Sequence, residues 1–130
     1  HEAERQKGTT GEVLLQLLER RLDNVVFRMG FAVNRREARH LIVHGHFTAN
    51  GKAINIPSYL VKAGDIVEVK ETSRDIPSIS DSISKLEHRG LPGWVEVDGS
   101  SFKGKILHIP SREEMQLPIQ EQLIVELYSK

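Results

Sequence analysis

The chain has 130 residues, 38% of them hydrophobic and 28% charged, with 18 Lys and Arg set against 18 Asp and Glu and no cysteine. The length suffices for one domain with its own core, and the missing thiols exclude disulfides and thiol chemistry and fit a cytosolic protein. No apolar run approaches the roughly 18 residues of a membrane helix, so no membrane partner is expected, and no secretory signal is visible. The first residue is His1 rather than Met, which leads us to expect a fragment or a processed product.

Thr9 and Glu12 have the spacing of a capping box, Thr at the cap and Glu three residues on. Val13, Leu14, Leu17, Leu18, Leu22, Val25, Val26 and Met29 then recur at helical spacing. One or two helices are predicted from Thr10 to Met29, closed by Gly30 as a left-handed stop; whether the run breaks near Arg20 to Leu22 is not fixed by the spacing. Asn34 is a good cap with Glu37 at the matching position, so a short helix is expected from Arg35 to Val43. Ala38, Leu41 and Ile42 share one face of it, and Arg35, Arg36, Arg39 and His40 fan across the other. Val43 falls inside the basic arc, which a simple helical wheel does not explain. Gly45 ends this helix.

"HFTANGKAINI" reads as a hairpin, because Asn50-Gly51 is a favoured two-residue turn in which both positions need positive φ. A Gly64-Asp65 turn leads into a strand from Ile66 to Val69. The Ser/Ile/Pro/Asp-rich piece from Thr72 to Ser82 is expected to be a mobile connection, overlapping a helix with Ile79, Ile83 and Leu86 on one face and Gly90 at its end. "WVEVD" and "FKGKILHI" read as strands paired through the Asp98-Gly99 region. Pro118 can start a last helix with Leu123, Ile124, Leu127 and Tyr128 on its apolar face. The fold class is α+β, a small and mostly antiparallel sheet with helices packed on it and helical segments at both ends.

The neutral total hides an asymmetry. From Arg20 to Lys62 there are eight basic residues and two acidic ones, a local net charge of +6, and the remainder carries ten basic and sixteen acidic. A polyanion responds to that patch, not to the total. Other chemistries fit the stretch less well. Gly45 and Gly51-Lys52 are spaced one residue beyond a phosphate loop, and Ala53 stands where Ser or Thr would hold magnesium. His40, His44 and His46 have loose metal-ligand spacing, but the only nearby carboxylate is Glu37 and three arginines would repel a cation, so no metal or cofactor is expected. Carboxylates are scattered, no serine sits in a nucleophile elbow, and His88 and His108 are isolated, so the chain is not read as an enzyme. A helix that buries one face and presents Arg35, Arg36 and Arg39 on the other can grip phosphates with forked, charge-assisted bonds. Asn50 and Lys52 lie at a turn tip, Tyr59 and His46 supply flat rings, and Ser58 supplies a hydroxyl. The pattern points to a nucleic-acid partner and does not separate RNA from DNA.

At "RLDNVVFRMGFAVNRREARHLIVHGHFTANGKAINIPSYLVKAGDIVEV" the sequence resembles the S-four RNA-binding domain, carried by "RLD", "AR", "HGH", "NGK", "IPSY" and "GD" in the family order. Upstream "GTTGEVLLQLLERRLDNVVFRMGF" and the closing "QEQLIVELYSK" are similar to the bacterial small-subunit (30S) ribosomal protein S-four family in particular. The domain alone also occurs in pseudouridine synthases, a tyrosyl-tRNA synthetase tail and a small heat-shock RNA binder, which would not share the closing segment.

The resemblance implies a C-terminal fragment of that family, without the long basic N-terminal region of full-length relatives. Residues 1–20 would be the remnant of a helical domain, 21–112 a sheet-containing domain with its RNA-binding module at 21–70, and 113–130 a C-terminal helix returning to the helical part. It also implies a structural constituent of the cytoplasmic small ribosomal subunit, a primary binder of its ribosomal RNA that nucleates assembly. Contact with the neighbouring protein S-five, effects on decoding accuracy and repression of its own messenger RNA are further family traits. The alternative is an RNA-binding module of an RNA-modifying enzyme such as a pseudouridine synthase. A DNA-binding regulator is a third reading.

Carried over residue by residue, the family's RNA-facing surface falls on Arg21, Arg28, Arg35, Arg36, Arg39, His40, His44, His46, Asn50, Lys52, Ser58 and Tyr59. Asp23 matches the acidic position of "RLD", where it is expected to orient a basic partner or cap a helix. His40 stands where many relatives carry Gln, and Ala49 where a larger apolar residue is usual.

Overall fold

A computed structural model describes residues 10–86, 90–111 and 114. Four α-helices and five strands lie among them. Helix α1 spans Thr10–Glu19, α2 Leu22–Arg28, α3 Arg35–Val43 and α4 Pro77–Ser84. The strands are β1 Phe47–Ala49, β2 Lys52–Ile54, β3 Ile66–Val69, β4 Val95–Asp98 and β5 Lys103–Ile106. The sheet order is β2-β1-β3-β5-β4, and every ladder is antiparallel. The α+β class read from the sequence is the class found.

The register places one inner face under the helices. Phe47 stands opposite Val69, Ala49 opposite Val67, Val67 opposite Gly104, and Ile106 opposite Val95. All of these are buried, as the period of two along a half-buried strand requires. Leu22, Val25, Val26 and Met29 of the α2 region and Ala38, Leu41 and Ile42 of α3 complete one core with Phe31, Val61, Ile79 and Trp94. Gly104 is the close-approach point of helix and sheet. A Cβ there would sit on the Met29 sulfur and 2.8 Å from its methyl carbon.

The helical run does break between Glu19 and Leu22, and the cause is tertiary. Arg21 adopts extended backbone, φ −63° and ψ 141°. The segment 57–61 takes the backbone bonds that a continuous helix would use. Leu22 N–H donates to the Tyr59 carbonyl at 2.7 Å, Asp23 N–H to that of Pro57 at 3.0 Å, and Val61 N–H to that of Arg20 at 2.9 Å. Gly30 stops the second helix at φ +89°, where an added Cβ would also come within 2.8 Å of Leu86 Cδ1. The hairpin turn is as expected, with φ +53° at Asn50 and +83° at Gly51.

Two expectations are corrected. The piece from Thr72 to Ser82 is not a loose connection. A 3-10 turn over Glu71–Ser73 leads into α4, where Pro77 occupies the first turn. Ser73, Ile79 and Ser82 are buried. The composition implies mobility, but a Pro at the helix start and Ile76, Ile79 and Ile83, three and four residues apart, are enough to dock the segment. The helix also ends earlier than expected, at Ser84, although Gly90 does take positive φ, +80°. The β4–β5 connection is a four-residue loop in which Phe102 has φ +55°, because Asp98 pairs directly with Lys103. Thr9, His88 and the helix expected after Pro118 lie outside the described residues.

Candidate nucleic-acid interface

Helix α3 is built for two faces. The Asn34 side chain accepts the Glu37 N–H at 2.7 Å and closes its first turn, satisfying one of the donors a helix start leaves unpaired. Ala38 and Ile42 are fully buried and Leu41 nearly so. Burial of each large apolar side chain contributes roughly 1.5–3 kcal/mol, so the helix cannot rotate its charges inward. Its other face, with Asn34, Arg36, Glu37, Arg39, His40 and Val43, lines an open surface groove. Arg36, Arg39 and His40 are exposed. Val43, the residue the wheel left unexplained, is exposed as well.

The remaining arginines are organised differently. Arg21 Nε and Nη2 donate to the two carboxylate oxygens of Asp23 at 3.1 and 3.0 Å, and Asp23 also accepts the Asn24 N–H at 2.7 Å. Asp23 therefore does orient a basic partner. Arg28 makes the same forked contact with Glu19, at 3.3 and 3.1 Å. Arg35 Nε donates to the Asn24 side-chain oxygen at 2.6 Å. The guanidinium carbons of Arg28 and Arg35 lie 5.7 and 4.9 Å from the centre of the Phe27 ring. Burial lowers the Arg35 pKa from its ordinary value, and the nearby Arg28 charge lowers it further. It remains a cation, since a guanidinium starts far above neutrality. Glu19, Asn24 and Phe27 were not singled out in the sequence. Glu19 lies across the helix break from Asn24 and Arg28, so no helical spacing links them.

The histidines separate into two groups. His40 and His44 are exposed and meet edge to face, with ring centres 4.2 Å apart at the end of α3. His46 turns inward, where its Nδ1 shares a hydrogen bond of 2.8 Å with the buried Ser73 hydroxyl. Asn50 is likewise engaged by the protein. Its amide donates to Asp65 at 3.0 Å and its oxygen accepts the Ile66 N–H at 2.9 Å, which locks the hairpin tip to β3. Lys52 and Ser58 are exposed, and Tyr59 packs partly against the core. No hydrogen bond or ion pair joins Lys52 to α3 among the described residues. The helix pair α2–α3 thus gathers Arg21, Arg28, Arg35, Arg36, Arg39, His40 and His44. His46 and Asn50 hold the scaffold, and Lys52 and Ser58 stand on neighbouring loops and strand.

Residues 20–67 match the S4 domain. The chain is 59% identical over 128 residues to the small ribosomal subunit protein uS4 of Thermodesulfovibrio yellowstonii, covering 98% of this chain and 62% of that protein. It is 60% identical over 124 residues to uS4 of Desulforapulum autotrophicum, covering 95% and 60%, and 58% identical over 129 residues to uS4 of Geobacter sulfurreducens, covering 99% and 62%. The chain spans about three fifths of the length of the curated relatives it matches. The S4 domain match falls on the α2–α3 helix pair and the β1–β2 hairpin, and the similarity to uS4 proteins runs along nearly the whole of this chain.

Proposed function

We propose that this chain is a non-catalytic, structural RNA-binding part of the small ribosomal subunit, working in the cytoplasmic ribosome. The observation that carries the reading is helix α3. It is pinned by a buried apolar face and a side-chain cap, and it turns Arg36, Arg39 and His40 to solvent beside Arg28 and Arg35 of the same helix pair. Rigid, forked cations on a fixed surface recognise the phosphate pattern of a folded RNA by shape and charge. Names such as "small ribosomal subunit protein" for relatives matching 95–99% of the chain favour ribosomal RNA over the RNA of a modifying enzyme. Nucleation of assembly, contact with protein S-five, influence on decoding and repression of its own messenger belong to the same proposal. So do the division at residues 20 and 112 and the RNA-facing roles of Ser58, Tyr59 and Lys52.

The test is a filter-binding titration of this chain against in vitro transcribed small-subunit ribosomal RNA, with duplex DNA as competitor. RNA should bind with an affinity that falls steeply with salt, and DNA should compete poorly. Equal competition by DNA would move the protein to the regulator class.

A further inference from the structure

Buried acids are an odd feature of a surface meant for a polyanion. Glu19, Asp23 and Asn24 are residues at most 5% exposed, and their side chains are hydrogen-bonded to the arginines. Taking a carboxylate out of water is costly, and the pair it forms is no reliable source of stability. Glu19 uses both oxygens. Oε1 accepts from Asn24 Nδ2 at 2.8 Å and from Arg28 Nε at 3.3 Å, and Oε2 accepts from Arg28 Nη2 at 3.1 Å. The Asn24 amide nitrogen also donates to the Glu19 carbonyl at 2.8 Å, which fixes which end of the amide faces Arg35. Its oxygen then takes Arg35 Nε at 2.6 Å. One connected chain of bonds, Arg28–Glu19–Asn24–Arg35, therefore sets two guanidiniums from two helices around the Phe27 ring.

The terminal Nη donors of Arg35 have no hydrogen-bond partner among the described residues. A flexible arginine would lose rotamer freedom each time it captured a phosphate; one already held at Nε would lose less. Resting on the RNA-binding reading above, we infer that Glu19 and Asn24 are positioning residues, a buried carboxylate–amide seat that presets Arg28 and Arg35 as a pair for the phosphodiester groups of RNA.

The decisive feature is the sign of a charge change. Glu19→Gln makes the surface more positive by one unit. If the patch acts only through its summed charge, RNA binding tightens. If Glu19 positions Arg28, binding weakens by about three- to tenfold, the range for the net loss of one ordinary hydrogen bond. The measurement is the affinity of the 130-residue chain for small-subunit ribosomal RNA, and for polyuridylate as a generic phosphate polymer. Circular dichroism confirms that each variant is folded at the assay temperature. Arg28→Lys is the second variant. It keeps the charge and removes the fork, so it should also weaken binding several-fold, whereas a charge-only surface would not notice it.

Weaker binding by both variants supports the seat. Tighter or unchanged binding by folded Glu19→Gln overturns it, and if that variant does not fold, unchanged binding by Arg28→Lys does the same. Arg36→Ala is outside the seat and tests the underlying reading. If it weakens binding while the other two do not, the seat fails and the RNA face stands. If none of the three matters, both fail.

Discussion

Gly104→Ala tests the contact on which the arginine helices rest. The glycine lies on the inner face of β5, and the Met29 side chain, fully buried at the end of α2, fills the space a Cβ would take. The methionine cannot escape to solvent, so the helix end or the strand must shift. Overpacking of this kind costs about 1–3 kcal/mol, and the lower chain entropy of Ala returns about 0.5–1 kcal/mol of it. A net loss of about 1–2 kcal/mol corresponds to a fall in Tm of roughly 3–8 °C for a domain this size. Met29→Ala alone should cost about 2–5 kcal/mol for the cavity it leaves. In the double variant the new methyl group enters that cavity, so the two costs should fall short of additivity by about 1–2 kcal/mol. Thermal and urea melts of the four proteins close the cycle. An unchanged Tm for Gly104→Ala, or strict additivity, would falsify the packing argument.

Four further outcomes are expected. Asn34→Ala removes the cap of α3 and should cost about 1 kcal/mol, read by urea denaturation, with RNA affinity at saturating stability little changed. Arg35→Ala and Arg39→Ala should each weaken RNA binding and lower the slope of log affinity against log salt by about one unit or less; an unchanged slope and affinity would place the interface elsewhere. Asn50→Ala loses two side-chain bonds and puts at φ +53° an alanine, which tolerates the left-handed region less well than asparagine. It should destabilise by about 1–3 kcal/mol, and Asn50→Gly by less, since Gly keeps the turn. Glu114 is held below the usual glutamate pKa, first by the Ser111 backbone N–H and then by His108. Its proton is bound more weakly in the folded chain, so its small contribution is present above the ordinary glutamate range and is lost as pH falls through and below it. Carboxyl-detected NMR should show His108→Ala moving that titration up toward normal. Glu114→Ala should leave RNA binding nearly intact.

Local signals located most elements because they are local in their physics. A cap at Asn34, a positive-φ stop at Gly30 and Gly45, an Asn-Gly turn and apolar residues at helical or alternating spacing each act within a few residues. They predicted α3, the β1–β2 hairpin and β3 closely. The Thr72–Ser82 segment departs from expectation because its polar composition says nothing of the core into which Ile79 packs. The same limit applied to the site. The residue types and the local net charge pointed to a polyanion, but sequence could not say which side chains were already occupied. His46 faces Ser73, Asn50 holds Asp65 and Ile66, and Arg28 and Arg35 share a seat through Glu19 and Asn24.

By itself, then, the sequence determined an α+β chain with one strongly basic stretch, its helix and its turn, and a likeness to a known family. The tertiary structure decided where the first helical run breaks, because residues 57–61 compete for its backbone bonds. It also decided which basic residues are free and which are braced. Hydrogen bonds across a helix break, between residues with no shared period, leave no trace in composition or spacing, and the buried acids under the arginines are of that kind.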